Sequence, residues 1–293
     1  MERWSGGLLA SDIDGTLTEF AEIPRRNVEA IRAFQAGGGR FTVATARIPA
    51  LLRDVTEVVA LNAPAICLNG ACLYDAVQDR VLAFRGLPEG AKAALPRLME
   101  RFPGAGVLVV GLERYHILRE GAYVDETLGR RLEARRRAGD YVDAAPEDLP
   151  ERWAKCVFMV SGPDMGRMVR ACQPELDALG LALVSTSDYY LELVGTDWNK
   201  GSALAGLARR LGTPVGRTGA VGDQMNDVDL LRAAGWRAVV AGAPAQLTAL
   251  ADLVTCPCGQ GAVADALEGY QRFLEGGPTG DRGHRAEPPR PMA

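Results

Sequence analysis

The chain has 293 residues, 47% of them hydrophobic, and a formal net charge of −4 at pH 7. This length and composition suit one large or two medium domains with a packed core. The mixed charges lack the basic surface of a nucleic-acid-binding protein. No apolar run approaches the ~18 residues that cross a bilayer or resembles a secretion signal. We therefore expect a cytoplasmic protein that binds neither nucleic acid nor membranes. The sequence does not distinguish a monomer from a homodimer.

Cysteine and histidine usage narrows the possible chemistry. The six cysteines are scattered, and the chain has only two histidines, His116 and His284. In a protein that is not exported the thiols are expected to stay reduced. The scarcity of histidine argues against a Ser-His-Asp hydrolase or a histidine-rich zinc site. Cys256 and Cys258 leave two interpretations, a redox or metal role and a loop that contains two thiols, and the loop is favoured.

The N-terminal part alternates strand-like and helix-like segments. Strands are predicted at 8–11, 41–45 and 65–68, and helices at 24–36 and 49–61. Such alternation predicts an α/β fold with a doubly wound, mostly parallel sheet covered on both faces. Residues 71–74 and 81–84 read as a hairpin that leaves this first unit.

The pattern changes between about residues 78 and 195, which we interpret as an inserted α/β domain. Its predicted elements do not follow the regular alternation of the first part. They are strands at 106–110, 114–118, 155–160, 181–186 and 189–194, and helices at 89–101, 125–138 and 164–179, the last interrupted by Pro174.

After Lys200 the first pattern returns and completes the core domain, predicted to comprise residues 1–77 and 196–275. The remaining residues, 276–293, are rich in Gly, Pro and Arg and are predicted to be disordered. The predicted elements of this part are helices at 201–211, 227–233, 245–251 and 263–275, and strands at 218–221, 238–241 and 253–255.

Asp12 and Asp14 follow the first predicted strand, and Gly15 ends it. Residues two apart in an extended chain point to the same side, so both carboxylates face one small volume. Like charges placed this close need a cation, a proton or a chemical task to compensate them. The pair therefore predicts a metal-assisted reaction in which one carboxylate attacks and the other moves a proton.

Four polar clusters sit where strands of the core should end, and such ends converge on one crevice in open α/β sheets. The clusters are Asp12 with Asp14, Thr45 with Arg47, Lys200, and the run Gly222-Asp223-Gln224-Met225-Asn226-Asp227.

The order and spacing of these clusters resemble the haloacid dehalogenase (HAD) superfamily. Its first motif, Asp-x-Asp-Gly-Thr, matches residues 12–16, and its fourth, Gly-Asp-x-x-x-Asp, matches 222–227. Thr45 and Lys200 stand at its second and third motifs. The insertion and the Leu-Asn-Gly-Ala stretch at 68–71 are similar to the Cof-type branch of sugar-phosphate phosphatases. The resemblance covers residues 8 to 270 and implies a Rossmann-like core with a cap domain.

This resemblance implies a Mg²⁺-dependent phosphatase for a small phosphorylated metabolite, with a sugar phosphate as the expected substrate. Asp12 is the expected nucleophile, which forms an aspartyl-phosphate, and Asp14 the expected general acid and base. Lys200 offsets the growing charge. The expected phosphate or substrate contacts are Thr45, Ala46, Asn69, Lys200 and Asn226. The expected metal group is Asp12, Asp14 through its backbone carbonyl, Asp223 and Asp227. Within this group, Asp227 is expected to support the other ligands or to orient Lys200.

Cap residues are expected to choose the leaving group. Tyr115, His116, Tyr189 and Glu192 are candidates, although packing is the favoured interpretation of the aromatic ones. Ala46 stands where the branch usually has Gly, which tightens the loop against the phosphate.

Other functions remain open or are excluded. A phosphomutase or phosphotransferase would use the same aspartyl-phosphate, and a metabolite-binding module would use the same fold without catalysis. An EF-hand is excluded because Leu17 and Ile23 occupy the positions of its Gly and Glu. A dinucleotide-binding oxidoreductase is excluded because no Gly-x-Gly-x-x-Gly turn follows the first strand.

Overall fold

The computed structural model describes residues 3–20, 22–121, 129–185 and 189–276, and these form alternating strands and helices. The strands are β1 (Leu8–Ser11), β2 (Arg40–Val43), β3 (Ala65–Cys67), β4 (Cys72–Asp75), β5 (Arg80–Phe84), β6 (Gly106–Val110), β7 (Tyr115–Arg119), β8 (Tyr141–Asp143), β9 (Lys155–Met159), β10 (Leu181–Ser185), β11 (Tyr190–Gly195), β12 (Thr218–Gly222), β13 (Trp236–Val239) and β14 (Leu253–Val254). The α-helices are α1 (Arg25–Ala36), α2 (Arg53–Thr56), α3 (Glu89–Arg101), α4 (Gly129–Ala138), α5 (Gly162–Asp177), α6 (Lys200–Arg210), α7 (Val228–Ala233), α8 (Ala245–Thr248) and α9 (Ala262–Leu274).

The chain divides into two compact units. The first contains the residues up to Arg47, then Leu51–Phe84, and resumes at Trp198; the second contains Ile48–Ala50 and Arg85–Asp197. The first division therefore falls after β5 rather than after residue 77, because β5 is hydrogen-bonded to β4 within the first unit.

The first unit is built on a parallel five-stranded sheet in the order β14-β13-β12-β1-β2. Leu8 and Ala10 of β1 contribute to a buried cluster with Leu204 of α6 and Leu230 of α7. A second helix pair, α1 and α9, packs together, and α9 contacts β12 and β13. The predicted doubly wound, mostly parallel α/β sheet is confirmed.

A separate three-stranded sheet, β3-β4-β5, belongs to the first unit. Residues 65–68 are predicted as a strand of the parallel sheet. Strand β3 lies parallel to the end of β2 through the bridge between Ala44 and Ile66, and it also pairs antiparallel with β4. The predicted hairpin at 71–74 and 81–84 is present, yet it extends β3 instead of leaving the unit.

The helix predicted over 49–61 is shorter than expected, with a 3₁₀ turn at Pro49–Leu52 followed by α2. Asn62 lies six residues after the end of α2. Its side chain accepts a hydrogen bond from the Phe41 amide at 2.7 Å and donates one to the Gly39 carbonyl at 2.9 Å. These bonds hold the segment against the start of β2.

The second unit contains a six-stranded mixed sheet in the order β10-β11-β9-β6-β7-β8. One face packs against α3 and α5, whose Leu95 and Met168 join Val107 and Phe158 in a buried cluster. The short strand β8, which pairs parallel with β7, was not predicted. Helix α5 continues through Pro174 without a break. The inserted α/β domain architecture is thereby confirmed.

Some predictions fall on residues outside those described: the start of the 125–138 helix, residue 186, and the tail beyond Gly276. Within the described ranges, none of the helices is both long enough and apolar enough to span a membrane.

The loop after β14 is fastened to helices α1 and α9 by Asp265. Its carboxylate accepts a hydrogen bond from the Cys256 amide at 2.8 Å and lies 2.5 Å from the Arg26 guanidinium. Burial alone raises the pKa of Asp265, but the Cys256 amide and Arg26 outweigh it and hold this pKa below its usual value. The ionised carboxylate therefore stabilises the folded state.

We predict that Asp265→Asn lowers the free energy of unfolding at neutral pH by about 1 kcal/mol, because the neutral amide loses a charge-assisted bond. A depressed carboxyl pKa contributes stability above the unfolded-state pKa and loses it as pH falls through the folded-state value. Urea unfolding should therefore show a gap between wild type and variant at about pH 7 that closes below about pH 4.

The matched control is Glu268→Gln, which neutralises the more exposed acidic partner of Arg26 and should change stability by less than about 0.5 kcal/mol. A gap for Asp265→Asn that persists unchanged into acid would contradict this assignment of the charge.

Candidate active site

The predicted polar clusters meet at the carboxyl ends of three adjacent strands. Asp12 follows the last residue of β1, Asp223 follows the last residue of β12, and Thr45 lies two residues beyond β2. Strands β12, β1 and β2 are neighbours in the parallel sheet. The reversal of winding occurs here, which is where ligands bind in open α/β sheets.

Lys200 is the cation at the centre of the site. It is the first residue of α6, which begins with a capping box formed by Asn199 and Ser202. Its buried Nζ lies 2.6 Å from Asp12 Oδ1 and 2.7 Å from Asp227 Oδ1. One ammonium group thus contacts two buried carboxylates that are distant from each other in the sequence.

The second oxygen of Asp227 shapes the loop after β12. Asp227 Oδ2 accepts hydrogen bonds from the amides of Asp223 at 3.1 Å and Gln224 at 3.2 Å. Both oxygens are therefore engaged, one by Lys200 and one by the backbone. This use suits orientation of Lys200 and of Asp223, the second of the roles expected from the sequence.

Burial governs the ionisation of the group. It raises the pKa of Asp12 to about 7, with Asp227 adding to the rise and Lys200 opposing it. Burial raises the pKa of Asp223 as well, and the hydrogen bond from Thr16 opposes that rise. Burial alone would lower the pKa of Lys200, but Asp12 and Asp227 hold it above its usual value. The lysine is therefore a fixed positive charge.

Asp12, Asp223 and Asp227 each present a carboxylate oxygen within 4.8 Å of the others, an arrangement able to hold a metal ion. The side chain of Asp14 is outside this group. Asp223 is oriented by Thr16, whose hydroxyl donates to Oδ1 at 2.7 Å.

Position 15, in the turn that packs against Asp223, requires glycine. Its φ is +89°, and a Cβ there would lie 2.5 Å from Asp223 Oδ2. Both the backbone conformation and the close approach of the carboxylate exclude a side chain.

Asp14 points to a different partner. Arg47 donates from Nε to Asp14 Oδ2 at 2.9 Å and from a terminal nitrogen to Oδ1 at 2.5 Å. The backbone of Asp14 is fixed by a bridge to Thr18. Its carboxylate is therefore held in a two-pronged ion pair beside the acidic group.

Thr45 and Asn69 are brought together by the backbone. The Asn69 amide donates to the Thr45 carbonyl at 2.9 Å, and the Arg47 amide donates to Thr45 Oγ1 at 3.1 Å. Asn69 has a φ of +53°, and its buried Oδ1 has no hydrogen-bond partner among the described residues. Such strain at an unpartnered polar group is typical of functional positions.

Two further candidate contacts are less constrained. Ala46 is half-buried between Thr45 and Arg47, whereas Asn226 is exposed in the turn after β12. Among the described hydrogen bonds, none joins the Asn226 side chain to the acidic group.

The four specificity candidates all lie in the second unit. Tyr115 stacks on Tyr141 with ring centroids 4.5 Å apart. Burial, with a smaller effect of Arg114, lowers the pKa of His116. Glu192 is paired with Lys155 at 2.6 Å in a buried ion pair, and Tyr189 is exposed.

Cys256 and Cys258 are free thiols in the loop that Asp265 fastens. The Cys258 thiol donates to the Thr16 carbonyl at 3.2 Å, so this loop braces the Asp-x-Asp-Gly-Thr turn. In the described part of the chain, the acidic group able to hold a metal does not include either cysteine.

Two residues that shape the site had no role assigned from the sequence. Arg47 stood in the polar cluster with Thr45, and Thr16 stood in the first motif. Their contacts with Asp14 and Asp223 connect segments 33 and 207 residues apart. The available signal was the charged residue two positions after Thr45.

We predict that Asp227→Asn lowers the free energy of unfolding by about 3 kcal/mol. The change leaves the buried Lys200 with one compensating carboxylate instead of two, and loss of one member of a buried charge group is costly. The amide also keeps only one acceptor atom for three donors. Urea denaturation of the metal-free protein measures the effect.

Glu29→Gln, which removes the exposed partner of Arg25, is the control and should cost less than about 0.5 kcal/mol. Equal stability of Asp227→Asn and wild type would show that Lys200 does not depend on this carboxylate.

Comparison with known proteins places this site in a family. A family model described as haloacid dehalogenase-like hydrolase matches residues 9–267. A phosphoglycolate phosphatase from Methanoculleus marisnigri is 28% identical, with 91% of this chain and 97% of the relative covered. A haloacid dehalogenase-like hydrolase from Bacteroides thetaiotaomicron has a similar structure, with a TM-score of 0.78 at 20% identity over 89% of this chain and 98% of that one. A sugar phosphatase of haloacid dehalogenase subclass IIB gives a TM-score of 0.74 at 19% identity over 90% and 98%. The chain belongs to the haloacid dehalogenase-like hydrolases, with the Cof-type architecture that its motifs predicted.

Proposed function

We propose that this chain is a Mg²⁺-dependent phosphatase that hydrolyses a small phosphorylated metabolite, a sugar phosphate in the first instance, through an aspartyl-phosphate on Asp12. The observation that carries the proposal is the buried ammonium of Lys200 bound to Asp12, with Asp223 beside them. A carboxylate held this way has a fixed direction of attack and a positive charge next to it. The relatives named above act on phosphoglycolate and on sugar phosphates, which supports a small phosphorylated substrate.

In the first step an oxygen of Asp12 attacks the phosphorus atom. The bond between phosphorus and the ester oxygen breaks, and its electron pair goes to the leaving oxygen, which takes a proton from Asp14. Lys200 offsets the negative charge that spreads over the transferred group. Thr45, Ala46, Asn69 and Asn226 surround the phosphoryl oxygens in this proposal.

In the second step water cleaves the aspartyl-phosphate. Asp14, now ionised, takes a proton from the water while the water oxygen forms a bond with phosphorus. The bond between phosphorus and Asp12 breaks, and its electron pair restores the Asp12 carboxylate. Inorganic phosphate leaves, and both carboxylates return to their starting states.

The donor set fits Mg²⁺, which prefers oxygen ligands and usually binds few carboxylates together with substrate phosphate. Asp12, Asp223 and the backbone carbonyl of Asp14 would hold the ion. Asp227 stays with Lys200 and the loop amides, because both its oxygens are already engaged. When bound, the ion would neutralise charge on the carboxylates and the phosphoryl oxygens.

Two other functions share the observed site. A phosphomutase would return the phosphoryl group to a sugar, and a binding module would not turn substrate over. The contact of Lys200 with Asp12, with Asp223 beside them and Asp14 two residues along the chain, favours catalysis over binding alone. Release of inorganic phosphate separates hydrolysis from isomerisation.

We predict that the wild-type protein releases inorganic phosphate from members of a panel of phosphorylated metabolites and from a generic aryl phosphate, and that removal of Mg²⁺ by a chelator abolishes this release. Asp12→Asn should lower kcat at least about 1000-fold, because the amide is a poor nucleophile. A colorimetric phosphate assay measures both effects.

The control for Asp12→Asn is Glu57→Gln, which neutralises an exposed carboxylate on the surface and should retain full activity. Unchanged turnover by Asp12→Asn would remove the proposed mechanism. Isomerisation of a sugar phosphate with little phosphate release would favour the mutase, and no turnover of any substrate would favour the binding module.

A further inference from the structure

One guanidinium group engages both carboxyl oxygens of Asp14. Arg47 donates from Nε to Asp14 Oδ2 at 2.9 Å and from a terminal nitrogen to Oδ1 at 2.5 Å. Two parallel bonds from one planar group fix the plane and the direction of the carboxyl group. Asp14 therefore has one defined orientation, which the second step of the proposed reaction uses.

Arg47 is itself fixed in place. Its amide donates to Thr45 Oγ1, its carbonyl accepts from the Leu68 amide at 3.0 Å, and its guanidinium reaches the Leu51 carbonyl at 3.4 Å. The Arg47 side chain is 18% exposed. Both the backbone and the guanidinium of Arg47 are therefore fixed by hydrogen bonds. A guanidinium fixed in this way holds a carboxylate in one plane and one direction.

Asp14 by contrast has little else to hold it. Its side chain is 64% exposed, and among the described residues Arg47 is the one side chain that bonds to its carboxylate. An exposed aspartate without this fork would sample several rotamers. Water reaches such an exposed carboxylate freely, as a base that activates water requires.

We infer that Arg47 is a positioning residue for the second half-reaction, which aims the Asp14 carboxyl group at the water that cleaves the aspartyl-phosphate. The inference rests on the proposed phosphatase function. Asp14 takes the water proton, the water oxygen bonds to phosphorus, and the electron pair of the broken bond returns to Asp12. When the leaving group departs without a proton, as p-nitrophenolate does, loss of the fork slows this step more than it slows formation of the intermediate.

The experiment is rapid-mixing kinetics of Arg47→Met with p-nitrophenyl phosphate and Mg²⁺. We expect a burst of p-nitrophenolate that approaches one equivalent per active site, followed by a steady state slowed roughly 10- to 100-fold. Aryl phosphates whose leaving groups depart as readily as p-nitrophenolate should then share one kcat, because all pass through the same intermediate. Acid quenching of a ³²P-labelled substrate should trap labelled protein.

Arg47→Lys keeps the charge without the planar fork and should recover part of the steady-state rate with a smaller burst. Arg25→Met, which removes an exposed arginine that forms an ion pair with Glu29, should match the wild type. Thermal unfolding of each variant checks that it is folded. A double variant of Arg47→Met with Asp14→Asn should be no slower in the second step than Asp14→Asn alone.

Two results overturn the inference. One is a variant without a burst, in which intermediate formation is slowed as much as turnover. The other is a raised KM with unchanged kcat, which would make Arg47 a phosphate-binding group. Absence of phosphate release by the wild type would instead overturn the proposed function, so the two failures are distinguishable.

Discussion

The site depends on one buried ammonium group. Lys200 has no access to water and would be costly there without its two carboxylates, Asp12 and Asp227. Each of the three comes from a different segment of the chain, and the lysine offsets the charge of both carboxylates. The same contact that neutralises the lysine therefore fixes the ends of β1, of the loop after β12 and of the start of α6 relative to one another.

The conformation of the surrounding loops depends on the carboxylate oxygens that do not contact Lys200. One Asp227 oxygen contacts Lys200, and the other accepts hydrogen bonds from the amides of Asp223 and Gln224. That turn brings Asp223 to Gly15 so closely that a Cβ does not fit. Thr16 closes the arrangement with a hydrogen bond to Asp223. The acidic residues are thus arranged by a small hydrogen-bonded framework, and Lys200 offsets part of their mutual repulsion.

Much of this arrangement could be predicted from the sequence because it is encoded locally. Strand-helix alternation predicted the doubly wound sheet, and carboxylates directly after strand ends predicted where they meet. Long-range pairing could not be read in this way. Strand β3 carries no mark that it pairs with β4 as well as bridging to the end of β2, and the short strand β8 depends on β7 beside it. Asn62, inside no helix, is fixed by contacts with the start of β2 that only folding creates. The pairing of Asp14 with Arg47 is of the same kind.

The left-handed turn at Leu68–Gly70 has a consequence for the architecture of the chain. A Cβ at Gly70 would lie 2.2 Å from the Asn199 carbonyl oxygen, so the residues before and after the second unit touch within the first. The inserted stretch therefore behaves as a polymer loop whose two ends are held together by contacts within the first unit. The entropy of closing such a loop grows only with the logarithm of its length. The stability of the core therefore depends little on the length of the inserted domain, and the group around Lys200 is held by contacts within the first unit.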